Sequence, residues 1–76
     1  MKYEFKMVMD DGFVFEGDHV AESRTEAFDT ISEWANIQAR KHGAAGWSEH
    51  RFATNRLYTN GDCIVGYVNV WESCNA

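Results

Sequence analysis

One stretch, Ser23 to Gly43 (SRTEAFDTISEWANIQARKHG), has a clear helical period, and the chain on either side of it alternates like strand. A lone helix must lay its apolar stripe on something, and with strands before and after it that something is a sheet. Both ends of the helix are written in the residues. Ser23 with Glu26 three positions later makes a capping box: the hydroxyl takes the Glu26 amide and the carboxylate reaches back to the Ser23 amide. Arg40, Lys41 and His42 set positive charge against the carbonyl end of the dipole, and Gly43 supplies the left-handed closure, so the spacing predicts a helix over 24–42. At about 100° per residue, Ala27, Phe28, Ile31, Trp34, Ala35, Gln38, Ala39 and His42 fall on the side that must face a core. Glu26, Asp29, Glu33, Ile37 and Arg40 fall on the other.

The flanking segments read as hairpins. In Met1 to Met9, Tyr3, Phe5, Met7 and Met9 alternate with Lys2, Glu4 and Lys6, the period of a half-buried strand. Asp10-Asp11-Gly12 is a tight turn, and Phe13 to Glu16 returns antiparallel with Met9 opposite Phe13. Gly17 and Asp18 mark a bulge or the end of that strand. Ala44 to Ser48 reads as a loop with Trp47 tucked against the core edge. Asn60-Gly61 is the strongest hairpin marker in the chain, because a type I′ turn needs positive φ at both central positions. Turning there, Thr59 faces Asp62, Leu57 faces Ile64, Arg56 faces Val65 and Thr54 faces Tyr67. Ala53, Leu57, Ile64, Val68 and Val70 then form an aliphatic face for the helix, and His50, Phe52, Arg56, Tyr58, Val65, Tyr67 and Trp71 form the opposite one. The expected architecture is a single domain over 1–76, α+β, two layers, in the order ββαββ with a possible extra short strand.

A two-layer domain with one helix has nothing of its own to cover the second sheet face, and contiguous exposed apolar surface marks an interaction site. Phe52, Tyr58, Tyr67 and Trp71 are therefore candidate partner-binding residues, a homodimer being the simplest case. Shielding by Trp47 and the C-terminal tail, or a register shift at Gly66, is the alternative. Charge defines a second candidate surface. The net charge is −5, and residues 1–36 hold three cations against nine carboxylates, whereas residues 37–76 hold four against three. Glu26, Asp29 and Glu33 around Ile37, with Asp10 and Asp11 from the same half, are either an ordinary solvated face or a contact for a basic partner.

Catalytic and metal chemistry have little to build on. No phosphate-binding glycine loop, nucleophile elbow or His-Glu-x-x-His occurs. Ser48-Glu49-His50 lacks an oxyanion hole and an orienting carboxylate. His42, His50, Cys63 and Cys74 have no recognised zinc spacing, and the two cysteines are expected to be reduced thiols. No catalytic residue, cofactor or metal is expected. An acidic body argues against direct nucleic-acid binding, and no apolar run reaches the 18 or so residues of a membrane span. The expected location is cytoplasmic.

The lead-in Val20-Ala21-Glu22-Ser23-Arg24-Thr25-Glu26-Ala27, an A-E-S-x-x-[EQ]-A pattern followed by one helix and an antiparallel meander, resembles small phage-encoded anti-CRISPR inhibitors, a type I-F inhibitor among them. The N-terminal hairpin with Asp11-Gly12 and Gly17-Asp18 is also similar to the antitoxin half of HicA/HicB systems, whose third strand before the helix is missing here. The first resemblance implies a phage-type inhibitor acting in the host cytoplasm. Its partner would be a host protein or ribonucleoprotein complex with a basic surface, occluded without contact to nucleic acid.

Overall fold

A computed structural model describes residues 1–49 and 55–73. The elements run β1 (Lys2–Met9), β2 (Val14–Val20), α1 (Arg24–Lys41), β3 (Gly46–Glu49), β4 (Asn55–Asn60) and β5 (Cys63–Glu72). All five strands form one antiparallel sheet in the order β2-β1-β5-β4-β3, so the α+β layout holds and the extra short strand is β3. The two hairpins are joined where β1 pairs with β5. The chain therefore crosses from one sheet edge, β2, to the other, β3, and α1 makes that crossing over one face.

The helix is capped as its residues require, with one difference in detail. Ser23 Oγ accepts from the Glu26 amide at 3.1 Å, but the Glu26 carboxylate accepts from the Glu22 amide at 3.1 Å, one residue before the cap. At the other end the helix stops at Lys41, and the C-cap is His42, whose amide donates to carbonyls of the last turn. Gly43 follows with φ 98°, in the left-handed region.

The core joins Tyr3, Phe5, Met7 and Met9 of β1 to Ala27, Ile31, Ala35 and Ala39 of α1 and to Tyr58, Val68 and Val70. Three of those four helix residues are alanines, so the helix sits close to the sheet and buries a narrow strip. Ser32 is buried with it, and Trp34, expected on the core-facing stripe, is 38% exposed. Its indole leans on the rim instead, edge-on to His19 at 5.2 Å and tilted against Phe5 at 6.1 Å.

The first hairpin has the expected register, with Met7 opposite Phe15 and the Met9 amide donating to the Phe13 carbonyl at 2.9 Å. Gly17 and Asp18 do not end β2, which runs on to Val20; there the Ala21 and Met1 backbones bond to each other. Gly46 to Glu49 is strand rather than loop, paired with β4 from Gly46↔Thr59 to Glu49↔Arg56.

The second hairpin departs from expectation in register. Its closing pair is Asn60↔Cys63, so the two loop residues are Gly61 and Asp62, one step later than Asn60-Gly61. A bulge between Tyr58 and Thr59 then adds a further shift, giving Tyr58↔Gly66, Leu57↔Tyr67 and Arg56↔Val68. Because side chains alternate with period two, this exchanges the faces of β4 relative to the expected pairing. Arg56 and Tyr58 turn toward the helix, and Leu57 turns away from it.

Candidate functional site

The register assembles the sheet face away from α1 row by row. Val14, Val8, Tyr67, Leu57 and Ser48 lie side by side across all five strands. The next row is Glu16, Lys6, Asn69 and Asn55, and the next is Asp18, Glu4 and Trp71. Beyond the bulge Ile64 stands opposite Thr59 on the same side. Tyr67 is 41% exposed, Trp71 43% and Ile64 56%, with Val14 also exposed and Val8 and Leu57 half-buried.

This face is apolar along one band and nearly balanced in charge beside it. Its strand residues hold Lys2 and Lys6 against Glu4, Glu16 and Asp18. Lys2 Nζ is 3.4 Å from Asp18 Oδ2 along the β1–β2 pair. Trp71 Nε1 donates to Glu4 Oε2 at 3.3 Å, which ties the indole to β1.

The candidate residues separate accordingly. Tyr67 and Trp71 are on the open face as expected. Tyr58 is not: it is 1% exposed, buried under the helix by the register shift, and is withdrawn from the contact surface. Burial pushes its phenol up to about 12, against a smaller opposing pull from Arg56. Phe52 lies outside the described residues, as do His50, Ala53, Thr54 and Cys74. What sequence reasoning missed here is the band Val8, Val14, Leu57 and Ile64. Its signal was available in the alternation of β1 and β2, since Val8 and Val14 share the parity of the charged residues.

No protein-family model, characterised protein or solved structure matches this chain.

The acidic candidates do not make one surface. Glu26, Asp29, Glu33 and Ile37 are exposed in a row on the outer side of α1. Asp29 and Glu33 have no ion partner among the described residues. Glu26 is engaged in the helix cap. Asp10 and Asp11 sit at the opposite end of the helix, where they close the β1–β2 turn. The Asp10 amide donates to the Val65 carbonyl at 2.8 Å, and Asp11 Oδ1 accepts from the Phe13 amide at 2.9 Å. Asp11 Oδ2 pairs with His42 Nδ1, and the His42 ring stacks on Phe13 at 4.0 Å. The His42 hydrogen bond, then the Phe13 amide, hold the Asp11 carboxyl below its ordinary range. This cluster ties the helix C-terminus to the turn. Glu16 and Asp18, from the same half of the chain, lie on the open sheet face beside Lys6 and Lys2.

Among the described residues no group of three or more His, Cys, Asp or Glu side chains is placed to hold a metal. Among them too, no helix is long and apolar enough to cross a membrane.

Proposed function

We propose that this chain is a non-catalytic binding module that pairs with a second copy of itself through the open sheet face. The observation that carries the reading is the continuous Val14–Val8–Tyr67–Leu57 band, with Ile64 beside it, on a face that the helix leaves uncovered. Charge favours a second copy as the occupant. The face bears a formal charge of only −1 from two lysines and three carboxylates, on a chain of −5. Two copies of an acidic protein meet little net repulsion across such a face, and a two-fold axis would bring the same surface of each copy together. Area is adequate. Five strands spaced about 4.8 Å apart and about 20 Å long present roughly 500 Å² of projected face per copy. That is on the order of 1,000 Å² for a pair, the lower limit for a specific interface.

Sedimentation equilibrium of the wild type and of Tyr67→Glu tests this. The wild type is expected to self-associate and the variant to lose at least about ten-fold in affinity, or about 1.4 kcal/mol. An Ile37→Glu control on the helix side should associate like the wild type. A wild type that stays monomeric up to about 1 mM, where an association worth about 4 kcal/mol would show, overturns the proposal.

A second reading is favoured by one observation, the row of Asp29 and Glu33 on the outer side of α1, exposed and without ion partners among the described residues. We infer that such a row, with Ile37 at its end, suits a basic surface of a host defence complex, as the resemblance to anti-CRISPR inhibitors implies. Contact there would be steered by charge and weakened by salt. Asp29→Lys combined with Glu33→Lys should cut retention of the target from a host lysate at low salt by ten-fold or more, and equal retention would end this reading.

A further inference from the structure

The sheet has two edges of unequal length. β3 offers four residues, whereas β2 runs for seven, from Val14 to Val20, and pairs with β1 without a bulge from Lys2↔Val20 to Val8↔Val14. The backbone bonds at the two ends of this pair fix which β2 groups are already engaged. Ala21 and Met1 bond to each other, the Ala21 amide donating at 2.9 Å and the terminal ammonium of Met1 at 3.0 Å, and the Met9 amide donates to the Phe13 carbonyl at 2.9 Å. Bonded pairs alternate along an antiparallel ladder, so Phe15, Gly17 and His19 bond inward to β1. Val14, Glu16, Asp18 and Val20 therefore aim their N–H and C=O groups away from the sheet, and among the described residues none of these groups has a hydrogen-bond partner.

Such a row of unpaired donors and acceptors, about 20 Å long, is a template for one more strand. Exposed edges are commonly blunted by lysine, proline or a bulge, and β2 has none of these. It carries instead an apolar residue at each end, Val14 and Val20, both exposed, and two exposed carboxylates between them, Glu16 and Asp18. All four side chains share one side of the sheet, since side chains alternate along a strand. The carboxylates decide against a second copy as the added strand. Where β2 pairs antiparallel with another β2 through these outward groups, every register that matches at least three of the four residues sets a carboxylate directly opposite a carboxylate. Like charges so placed are destabilising. Neighbouring charge points the same way: across the ladder Asp18 stands beside Glu4, and Glu16 beside Lys6.

We propose that the β2 edge takes an extended segment of a cationic partner protein as a further antiparallel strand, with lysine or arginine opposite Glu16 and Asp18 and apolar residues opposite Val14 and Val20. Main-chain bonds supply the affinity of such a contact, and the alternate side chains supply its selectivity. Opposite Glu16 the cation continues the alternation of charge that Lys6 begins. Opposite Asp18 it offsets the adjacent Glu4 and Asp18 carboxylates, to which Lys2 contributes one cation at 3.4 Å from Asp18. The added strand widens the sheet at its edge, and the proposal does not rest on pairing through the open face.

Titration of the ¹⁵N-labelled full chain with the peptide acetyl-Val-Thr-Lys-Thr-Lys-Thr-Val-amide, which has this pattern, tests it. Saturable shifts are expected at the Val14, Glu16, Asp18 and Val20 amides, with hydrogen exchange slowed there by about ten-fold or more at saturation. Phe15, Gly17 and His19, already bonded to β1, should change little. The result should be the same in wild type and Tyr67→Glu, which separates the edge from the open face. The same peptide N-methylated at both lysines keeps the charge and loses two main-chain donors, and should bind about ten-fold more weakly or worse. A glutamate counterpart should not bind the wild type. It should bind the Glu16→Lys, Asp18→Lys double variant, which should reject the lysine peptide while keeping its circular dichroism spectrum, both positions being exposed. Absence of saturable shifts up to about 1 mM, shifts without the alternation between outward and inward amides, or equal binding of the N-methylated peptide overturns the proposal. So does exchange at the four outward amides that slows with protein concentration alone, the mark of a second copy on the edge.

Discussion

Gly66→Ala should be among the most damaging single-methyl additions this chain can suffer, and its cost can be worked from the contacts. A Cβ at Gly66 would stand 2.4 Å from Met9 Sδ, 2.8 Å from the Val8 carbonyl oxygen and 3.2 Å from Met9 Cα. The thioether can swing aside. The carbonyl cannot, because it belongs to the β1 backbone, and relief requires β1 and β5 to part where the two hairpins join. Overpacking of this kind costs about 1–3 kcal/mol, and a backbone obstacle places it toward the upper end. Replacing a strand glycine returns about 0.5–1 kcal/mol of backbone entropy. The net expectation is a loss of about 2 kcal/mol, which for a domain of this size lowers Tm by roughly 8–16 °C. Gly46→Ala is the control: the nearest atom is Thr59 Oγ1 at 3.6 Å, ordinary contact, so its stability should stay within about 0.5 kcal/mol of wild type. Urea unfolding followed by tryptophan fluorescence, with thermal melts by circular dichroism, measures both. If the two variants are equally stable, β1 does not meet β5 in this register, and the bulge that turns Tyr58 inward is wrong with it.

Ile31 is fully buried and Ile37 is exposed, so Ile31→Ala should cost about 2–5 kcal/mol and Ile37→Ala less than about 0.5 kcal/mol; similar losses in urea titrations would show the buried strip of α1 to be misplaced. Trp34→Ala, where the indole is only partly covered, should cost less than Ile31→Ala in the same titrations, whereas full burial would have given about 3–5 kcal/mol. Asp11 titrates below its ordinary value in the folded chain, so its contribution is present above about pH 3.8 and is lost as pH falls through the lower folded value. Asp11→Asn should therefore flatten the acid limb of a Tm-against-pH profile below about pH 4, and identical limbs would remove the His42 pairing from the account.

What the residues disclose on their own follows how local the determinant is. Ser23, Glu26 and Gly43 act within one turn of their own positions, and the α1 boundaries come out within a residue. Asp10-Asp11-Gly12 makes a tight turn after β1, whose buried residues alternate, and the Met7–Phe15 register follows. The second hairpin defeats the same reasoning for a physical reason. The turn is one residue later than the Asn60-Gly61 signal places it, and the bulge at Tyr58/Thr59 has no marker of its own. Since a one-residue slip exchanges faces, Tyr58 moves from the open surface into the core and Leu57 moves the other way. Gly66 was the clue. Such a position in a strand marks close backbone approach, and here Met9 and Val8 press on it. Charge by position along the chain was a poor guide to charge in space. Glu26, Asp11 and Asp18 come from the same acidic half, yet they serve a helix cap, a turn lock and a cross-strand ion pair on three different sides. β3 was hidden because Gly46 to Glu49 is too short to show alternation and owes its strand conformation to β4 beside it.

The most direct test of the central claim is an isotope-filtered NOE experiment on a mixture of ¹³C-labelled and unlabelled protein, which reports only contacts between copies. Pairing through the open sheet face predicts intermolecular NOEs among the Val8, Val14, Leu57 and Ile64 methyl groups and the Tyr67 ring. These should disappear in Tyr67→Glu while the intramolecular contacts of Ile31 and Val68 remain. Intermolecular NOEs confined to the helix face around Ile37 and Trp34, or none at a concentration where sedimentation shows association, would contradict it.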